Sequence, residues 1–553
     1  MKSFVRISGL LWADILVAYA FFVMQSYLTD VWKLSFTHAA GILNFWNGIS
    51  MVLPVFFLFL VDAFIGNFTM LVISSTAYTL GISFVAMSTP PVLANSTGTC
   101  KQYEPQCIGR TQKALFYTGM ALLTVGIAGN LVSVHSLLEE QQDKPDNHTN
   151  STRNCLKLPG FTLMVLIPLV GAIALPYIKP WDIRFGIPAI LTLIATLLFF
   201  TGSFTYDKEQ PKGSPITSVC RVFVAFFSKI SESFPLKSSQ LYRVNGVDSF
   251  SRTRFLRCLE KAAIVLPDVS TEDQVKKWRL SSVSEVEDAK IAVRMVPMWI
   301  TFIVCGIVSS IGNTYFIEQS KNMNRKIGVW KVPTQILLLL FGWGKLFFGL
   351  LASWFLKKSK TYGPSIGIAV AMIFSILCCI TAARIEKKRM GVITRHGLVD
   401  KPDEDIPMSV YWLLFQFFLL SGLDSFFEKS VAAFYKCQSP ECMKKYLEYF
   451  TKGVFGLGYM CSVLSVYVAG KASERGGKRN WFQFTLNRSR LDRYYWVLAS
   501  LSSVNLVLFV VVASCYRYKN RDAAEDDVAE EEVELGVVAA VVSVVSGQNE
   551  EDQ

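Results

Sequence analysis

Residues 363–383 contain no charged side chain, and apolar stretches of similar length recur along most of the chain. The hydrocarbon core of a bilayer takes about 20 apolar residues as a helix. Within it, every backbone donor and acceptor must be satisfied internally, which restricts spanning segments to helices and closed barrels. Hydropathy places the runs at 9–28, 40–61, 70–88, 114–133, 162–178, 185–204, 296–317, 333–355, 363–383, 408–434, 451–469 and 494–514. These lengths specify helices. The predicted fold is an all-α membrane protein of about twelve transmembrane helices.

Six runs precede a polar interval from Asp207 to Arg294, and six follow it. Two six-helix halves joined by a central loop is the major facilitator plan. The expected organisation is an N-terminal half at 1–206, a cytoplasmic central loop at 207–294, a C-terminal half at 295–516 and an acidic, disordered tail at 517–553. Arg252–Ile264 reads as an amphipathic helix on the membrane surface. Disorder is the expected state of the tail, with contact to a partner or to the membrane surface as the alternative.

Charged residues make up 18% of the chain, below the roughly 25% of soluble proteins. The formal charge of +12 is assigned to loops, where cations set topology and touch anionic lipid, and not to nucleic acid. Only 4 His are present and none lies mid-span, which argues against histidine relays and metal sites. No cofactor is expected. An enzyme is not expected either, for there is no nucleophile–base constellation and no phosphate loop.

Lys2 and Arg6 favour a cytoplasmic N-terminus, and an even number of spans returns the C-terminus to that side. Met1 to Ser8 precede the first span, which reads as a retained signal-anchor. The destination is the plasma or the vacuolar membrane. Two basic stretches, Glu386–Arg395 and Lys471–Arg493, fall outside by parity, against the charge rule. Asn95 and Asn487 are sequons on the outer side, Asn95 being the glycosylation candidate. Asn147 and Asn150 fall inside and read as accidental, and Asn67 lies too close to a span. Cys100 and Cys107 flank a polar turn, either as a disulfide in an exoplasmic loop or as free thiols.

Charged side chains within the spans are few, and Asp14, Lys345, Asp424 and Glu428 stand out among them. Each costs about 2.5–3.5 kcal/mol at a helix centre, which makes them candidates for substrate contact or coupling. Asp424 and Glu428 are one turn apart on one face. Lys345 either pairs with Asp424, locking two helices, or binds an anionic substrate. Trp46, Asn44, Asn47, Asn130, Asn313, Tyr315, Tyr411 and Gln416 are polar or aromatic candidates for the cavity, or for helix packing. Asp62 and Gly66 close the second span in a D-x-x-x-G pattern similar to the facilitator signature loop, where the acid gates the inner side.

Several stretches carry a more specific likeness. They include 181–190 (WDIRFGIPAI), Gly213-Ser214-Pro215, Phe255-Leu256 with Lys261-Ala262-Ala263, Arg294 to Trp299, Glu318-Gln319 with Met323-Asn324-Arg325, His396-Gly397-Leu398 and Leu491-Asp492. In this order they resemble the plant nitrate/peptide transporter family, a branch of the proton-dependent oligopeptide transporters, over nearly the whole chain. The resemblance implies secondary transport of a small solute, such as nitrate, a peptide or another nitrogenous compound, by alternating access.

The family's first span bears E-x-x-E-R, and only Asp14 of this chain falls on that motif. The fourth-span Lys position falls on Asn130 or Leu131, and the nitrate-binding His position of one member type falls on Ser309. Proton coupling is therefore expected to be atypical or absent. The alternative is a membrane sensor or scaffold that keeps the transporter fold without transporting.

Overall fold

The computed structural model describes residues 2–141, 178, 180–208, 210–211, 213–231, 241–242, 255–265, 270–327, 330–331, 334, 336–358 and 362–516. The expected fifth span, the sequons Asn147 and Asn150 and the acidic tail lie outside these residues, apart from Ile178 at the end of that span.

The N-terminal half contains α1 (Lys2–Asp30), α2 (Phe36–Leu60), α3 (Gly66–Met87), α4 (Arg110–Glu140) and α5 (Trp181–Phe200). The C-terminal half contains α6 (Val283–Ser310, resuming as a short turn at Tyr315–Ser320), α7 (Ile336–Lys358), α8 (Gly363–Arg395), α9 (Leu413–Gln438), α10 (Glu441–Ser473) and α11 (Leu491–Cys515). All are apolar and long enough to cross a bilayer, with α2 and α3 forming one 52-residue stretch, Phe36–Met87. A π-helical turn at Val61–Ile65 and the positive φ of Gly66 (72°) separate that pair. A side chain at Gly66 would be strained in this left-handed conformation.

Several helices run past their apolar windows. α6 begins at Val283, inside the interval assigned to the central loop, because Ser282 and Glu285 form a capping box. The Ser282 amide donates to Glu285 Oε2 at 3.0 Å, and the Glu285 amide donates to Ser282 Oγ at 3.3 Å. Likewise Glu386–Arg395 is not a loop; it is the last three turns of α8. The expected amphipathic helix at Arg252–Ile264 is instead a 3-10 run, Arg257–Ala263. Its apolar side chains Leu259, Ala262 and Ala263 are covered by protein: Val222 and Ala225 of the helix Pro215–Ser228, and Val286 and Ala289 of α6. Lys290 of α6 is buried between Glu260 at 3.0 Å and Glu287 at 2.8 Å, fixing the linker to the base of the C-terminal half.

Lipid tails are as apolar as leucine, so membrane helices associate through close packing of small residues and hydrogen bonds. α3 meets α4 along Gly81, Gly119 and Gly126; a Cβ on Gly81 would lie 2.7 Å from the Leu123 amide. α10 carries glycines on two faces. Gly456 lies against Gly48 of α2, where a Cβ on Gly48 would come 2.7 Å from the Gly456 carbonyl. Gly458 lies against Gly306 of α6, where a Cβ on Gly458 would come 2.7 Å from the Gly306 Cα. The first contact joins the two halves and the second holds the C-terminal half together. Hydrogen bonds between helices reinforce them: Asn44 donates to Ser462 at 3.0 Å, and Asn505 donates to the Thr301 carbonyl at 2.9 Å.

Gly306→Val would drive a side chain into the Phe455 carbonyl of α10. It is expected to cost about 1–3 kcal/mol by overpacking, read as a lower melting temperature of the detergent-extracted protein.

Candidate functional site

In the N-terminal half, a hydrogen-bonded chain crosses three helices. Ser74 Oγ of α3 donates to Asn130 Oδ1 of α4 at 2.8 Å, and Asn130 Nδ2 donates to Asp14 Oδ1 of α1 at 3.2 Å. The Tyr78 hydroxyl of α3 also faces Asp14. Asn130 is buried, whereas Leu131 is 37% exposed and contributes only its carbonyl, which accepts from Tyr449 at 2.8 Å. Of the two candidate positions, the one facing the acid is therefore Asn130, a neutral amide.

In the C-terminal half, Ser309 of α6 donates to Asp424 Oδ1 of α9 at 2.9 Å and lies 3.1 Å from the Tyr459 hydroxyl of α10. Lys345 of α7 forms its ion pair with Glu428, at 3.9 Å, and not with Asp424. Spacing could not decide this, because the two acids share a face. The Lys345 and Glu428 side chains are 38% and 60% exposed. Ser425 Oγ donates to the Lys345 carbonyl at 2.8 Å and ties α7 to α9.

The remaining cavity candidates divide. Asn47 and Trp46 are half-buried and Asn313 is exposed at the break in α6; among the described residues, neither amide side chain makes a hydrogen bond. Tyr315 is buried, its ring 6.0 Å from that of Phe36 and 6.3 Å from that of Tyr494, and serves packing. Gln416 is buried and donates to Gln319 at 2.9 Å. Tyr411 is half-buried at the start of α9. Among the described residues, no group of three or more His, Cys, Asp or Glu converges in a way that would hold a metal.

The halves touch at both ends. Beside Gly66, the Tyr446 hydroxyl of α10 donates to Asp62 Oδ2 at 2.5 Å and accepts from Ser214 Oγ at 2.8 Å. The Gly213 amide donates to the Asp62 carbonyl at 3.0 Å. Lys445 donates to Ser136 Oγ at 2.8 Å. At the opposite end Lys321, just after α6, pairs with Asp30 at the end of α1 and donates to Thr29 Oγ1 at 3.1 Å. Burial pulls the Lys321 ammonium down, but Glu318 and Asp30 outweigh it and hold it above the usual lysine range.

On that same end sits a buried network that the sequence does not announce. Gln319 donates to Glu386 at 2.7 Å, and Arg389 grips Glu386 with two bonds of 2.8 Å. Arg389 also donates to Asn487 Oδ1 at 3.1 Å, and Asn487 Nδ2 donates to the Leu398 carbonyl at 3.1 Å. Asn487, buried and bonded at both ends of its amide, is not open to glycosylation. Asn95 is exposed on the short helix Pro90–Thr97. Asn67 donates to Glu140 at 2.6 Å. Cys100 and Cys107 are disulfide-bonded, their Cα atoms 4.8 Å apart. Tyr459, Tyr446 and Arg389 had no signal in the sequence beyond an i, i+3 Glu–Arg spacing for the last.

A family model described as PTR2, POT family, matches residues 68–482. The chain belongs to the POT family. It is similar to the NRT1/PTR family 5.5 protein of Arabidopsis thaliana, at 36% identity over 97% of this chain and 100% of that relative. It is also similar to the 5.6 protein of the same plant, at 28% over 89% of this chain and 87% of that one. An auto-inhibited POT family peptide transporter shares the fold with a TM-score of 0.64 at 16% identity, covering 94% of this chain and 98% of its own. The POT family transporter PepTSo does so at 0.61 and 13%, covering 93% and 97%. The protein is thus an integral, multi-pass member of a secondary transporter family and not an enzyme.

Two outcomes follow from the Arg389 network. Arg389→Ala leaves Glu386 charged in the interior with the Gln319 amide but no cation beside it, at an expected cost of about 3–5 kcal/mol in stability, measurable by thermal melting. Endoglycosidase treatment of protein from a glycosylating host should shift the parent chain and the Asn487→Gln variant but not Asn95→Gln.

Proposed function

We propose that this protein moves a small nitrogenous or anionic solute by alternating access of its two halves, with no cation paired to Asp14 among the described residues to couple transport to protons. The observation that carries this reading is the Asn130 amide facing Asp14, where a lysine would supply the competing charge. Proton symport needs a group whose protonation differs between states and a partner that competes for it. Asp14 has amide and hydroxyl partners, which hold a carboxyl group in place in either protonation state.

The charged contacts to the solute fall to the C-terminal half. An ion pair at 3.9 Å between half-exposed side chains is worth about 0–1 kcal/mol. Glu428 is therefore easily displaced from Lys345 by a carboxylate or nitrate oxygen. Asp424, held by Ser309, which Tyr459 holds in turn, sets the far wall, and the free amides of Asn313 and of Asn47 in the facing half supply neutral hydrogen bonds.

Purified protein in liposomes tests both parts. Uptake of nitrate and of short peptides is expected to be the same with and without an inward proton gradient, and to persist in Asp14→Asn. Gradient-dependent uptake that Asp14→Asn abolishes would overturn the coupling half of the reading. Lys345→Ala is expected to lower uptake about tenfold or more, the loss of one charge-assisted contact worth about 1.5–3 kcal/mol. Absence of flux for every solute offered would instead favour the sensor or scaffold reading.

A further inference from the structure

The outer face of α8 changes character along its length without changing direction. Ile366, Ile373 and Leu377 are each 44–46% exposed. Arg384, Lys388, Gly391 and Arg395 follow at intervals of seven, four, three and four residues. All these spacings return to one helical face. An apolar stripe at membrane depth thus continues directly into a cationic one.

The cationic end is a groove of about 470 Å³ lined by Arg384, Lys387, Lys388, Gly391, Val392 and Arg395. Nearby basic residues have acids at hand: Arg389 has Glu386 at 2.8 Å, Lys401 has Glu404 at 2.8 Å and Arg488 has Asp400 at 2.6 Å. Among the described residues, none of the four groove cations has a carboxylate within 4.0 Å. Like charges at i, i+3 and i, i+4 destabilise a helix unless an anion joins them.

Gly391 adds an independent observation. A glycine inside a helix costs roughly 0.5–1 kcal/mol relative to alanine, and nothing lies within 4 Å of where its Cβ would be. Packing therefore gives no reason for it. Its missing side chain forms the floor of the groove and leaves the backbone open to a bulky group. At the edge, Lys388 Nζ lies 3.3 Å over the ring of Trp412, which with Phe415 is exposed at the start of α9. Exposed tryptophans beside lysines mark the membrane–water interface.

We propose that this groove binds the phosphate headgroup of an anionic phospholipid, whose acyl chains lie along Leu377 and Ile373, about 10–22 Å down the helix from the three cations. Arg384, Lys387 and Lys388 fall within about 6 Å along the helix axis and hold the phosphate. Arg395, about 16 Å beyond Arg384, reaches the outer substituent of the headgroup. An isolated anion would satisfy the cations but leave the apolar stripe without a role; a phospholipid matches both.

The test uses full-length protein in phosphatidylcholine micelles, titrated with phosphatidylglycerol and followed by melting temperature and native mass spectrometry. Phosphatidylglycerol is expected to bind and raise the melting temperature, and inorganic phosphate at equal concentration is not. The triple variant Arg384→Gln, Lys387→Gln, Lys388→Gln should bind on the order of a hundredfold more weakly, at about a factor of five per cation. Gly391→Leu, whose side chain enters open space, should block binding with no fall in melting temperature in phosphatidylcholine alone, and it decides the matter if the triple variant does not fold. Undiminished lipid binding in Gly391→Leu and in any folded triple variant would overturn the assignment. So would inorganic phosphate reproducing the full shift, which would make the groove a free-anion site.

Discussion

The approach of α10 to two neighbours at once is the constraint on which the rest of the structure depends. Gly456 and Gly458 bring backbone against backbone at Gly48 of α2 and Gly306 of α6. In a bilayer such contacts replace the hydrophobic drive that assembles soluble cores. They also set the site. Ser309 is one turn beyond Gly306, and Tyr459 is adjacent to Gly458, so the same close contact delivers the Ser309 hydroxyl to Asp424 and the Tyr459 hydroxyl to Ser309. A wider helix spacing would leave that acid without partners in an apolar surrounding, a costly state.

Hydropathy made the centres of the spans legible, because apolar length is what the bilayer demands. It did not reveal their ends. α6 starts thirteen residues before its apolar window because Ser282 and Glu285 cap it, and α8 continues twelve residues past its window, to Arg395. Charges that look like loop punctuation are, in Glu386 and Arg389, a buried pair on the inward face of a helix. The candidate acids were legible one by one, but their partners were not. Asp424 and Glu428 share a face, so only the placement of α7 selects Glu428 for Lys345. The choice between Asn130 and Leu131 is a matter of helix rotation, which a single uncharged turn does not encode.

The basic stretches that conflict with the charge rule have a local explanation. Arg389, Arg488 and Arg490 are each engaged by a carboxylate within 2.9 Å, and the first also reaches Asn487. They hold together the ends of α8, α10 and α11 with the short parallel pairing of Met323–Asn324 and Ile406–Ser409. Much of the basic character there is structural mortar, which leaves the outward cations of α8 as a distinct, unmatched set.

The glycine seam between α2 and α10 has one more consequence. Interdigitated side chains make a joint that moves in steps, since each knob must leave one hole before entering another. Where Gly48 meets Gly456 the joint is shallow, backbone lying against backbone with Met51 and Met460 beside it. The seam between the two halves therefore has few steps to climb, and the resistance to rocking is concentrated in a small number of polar latches, Asp62 with Tyr446 and Lys321 with Asp30 at the ends and Asn44 with Ser462 along the seam itself.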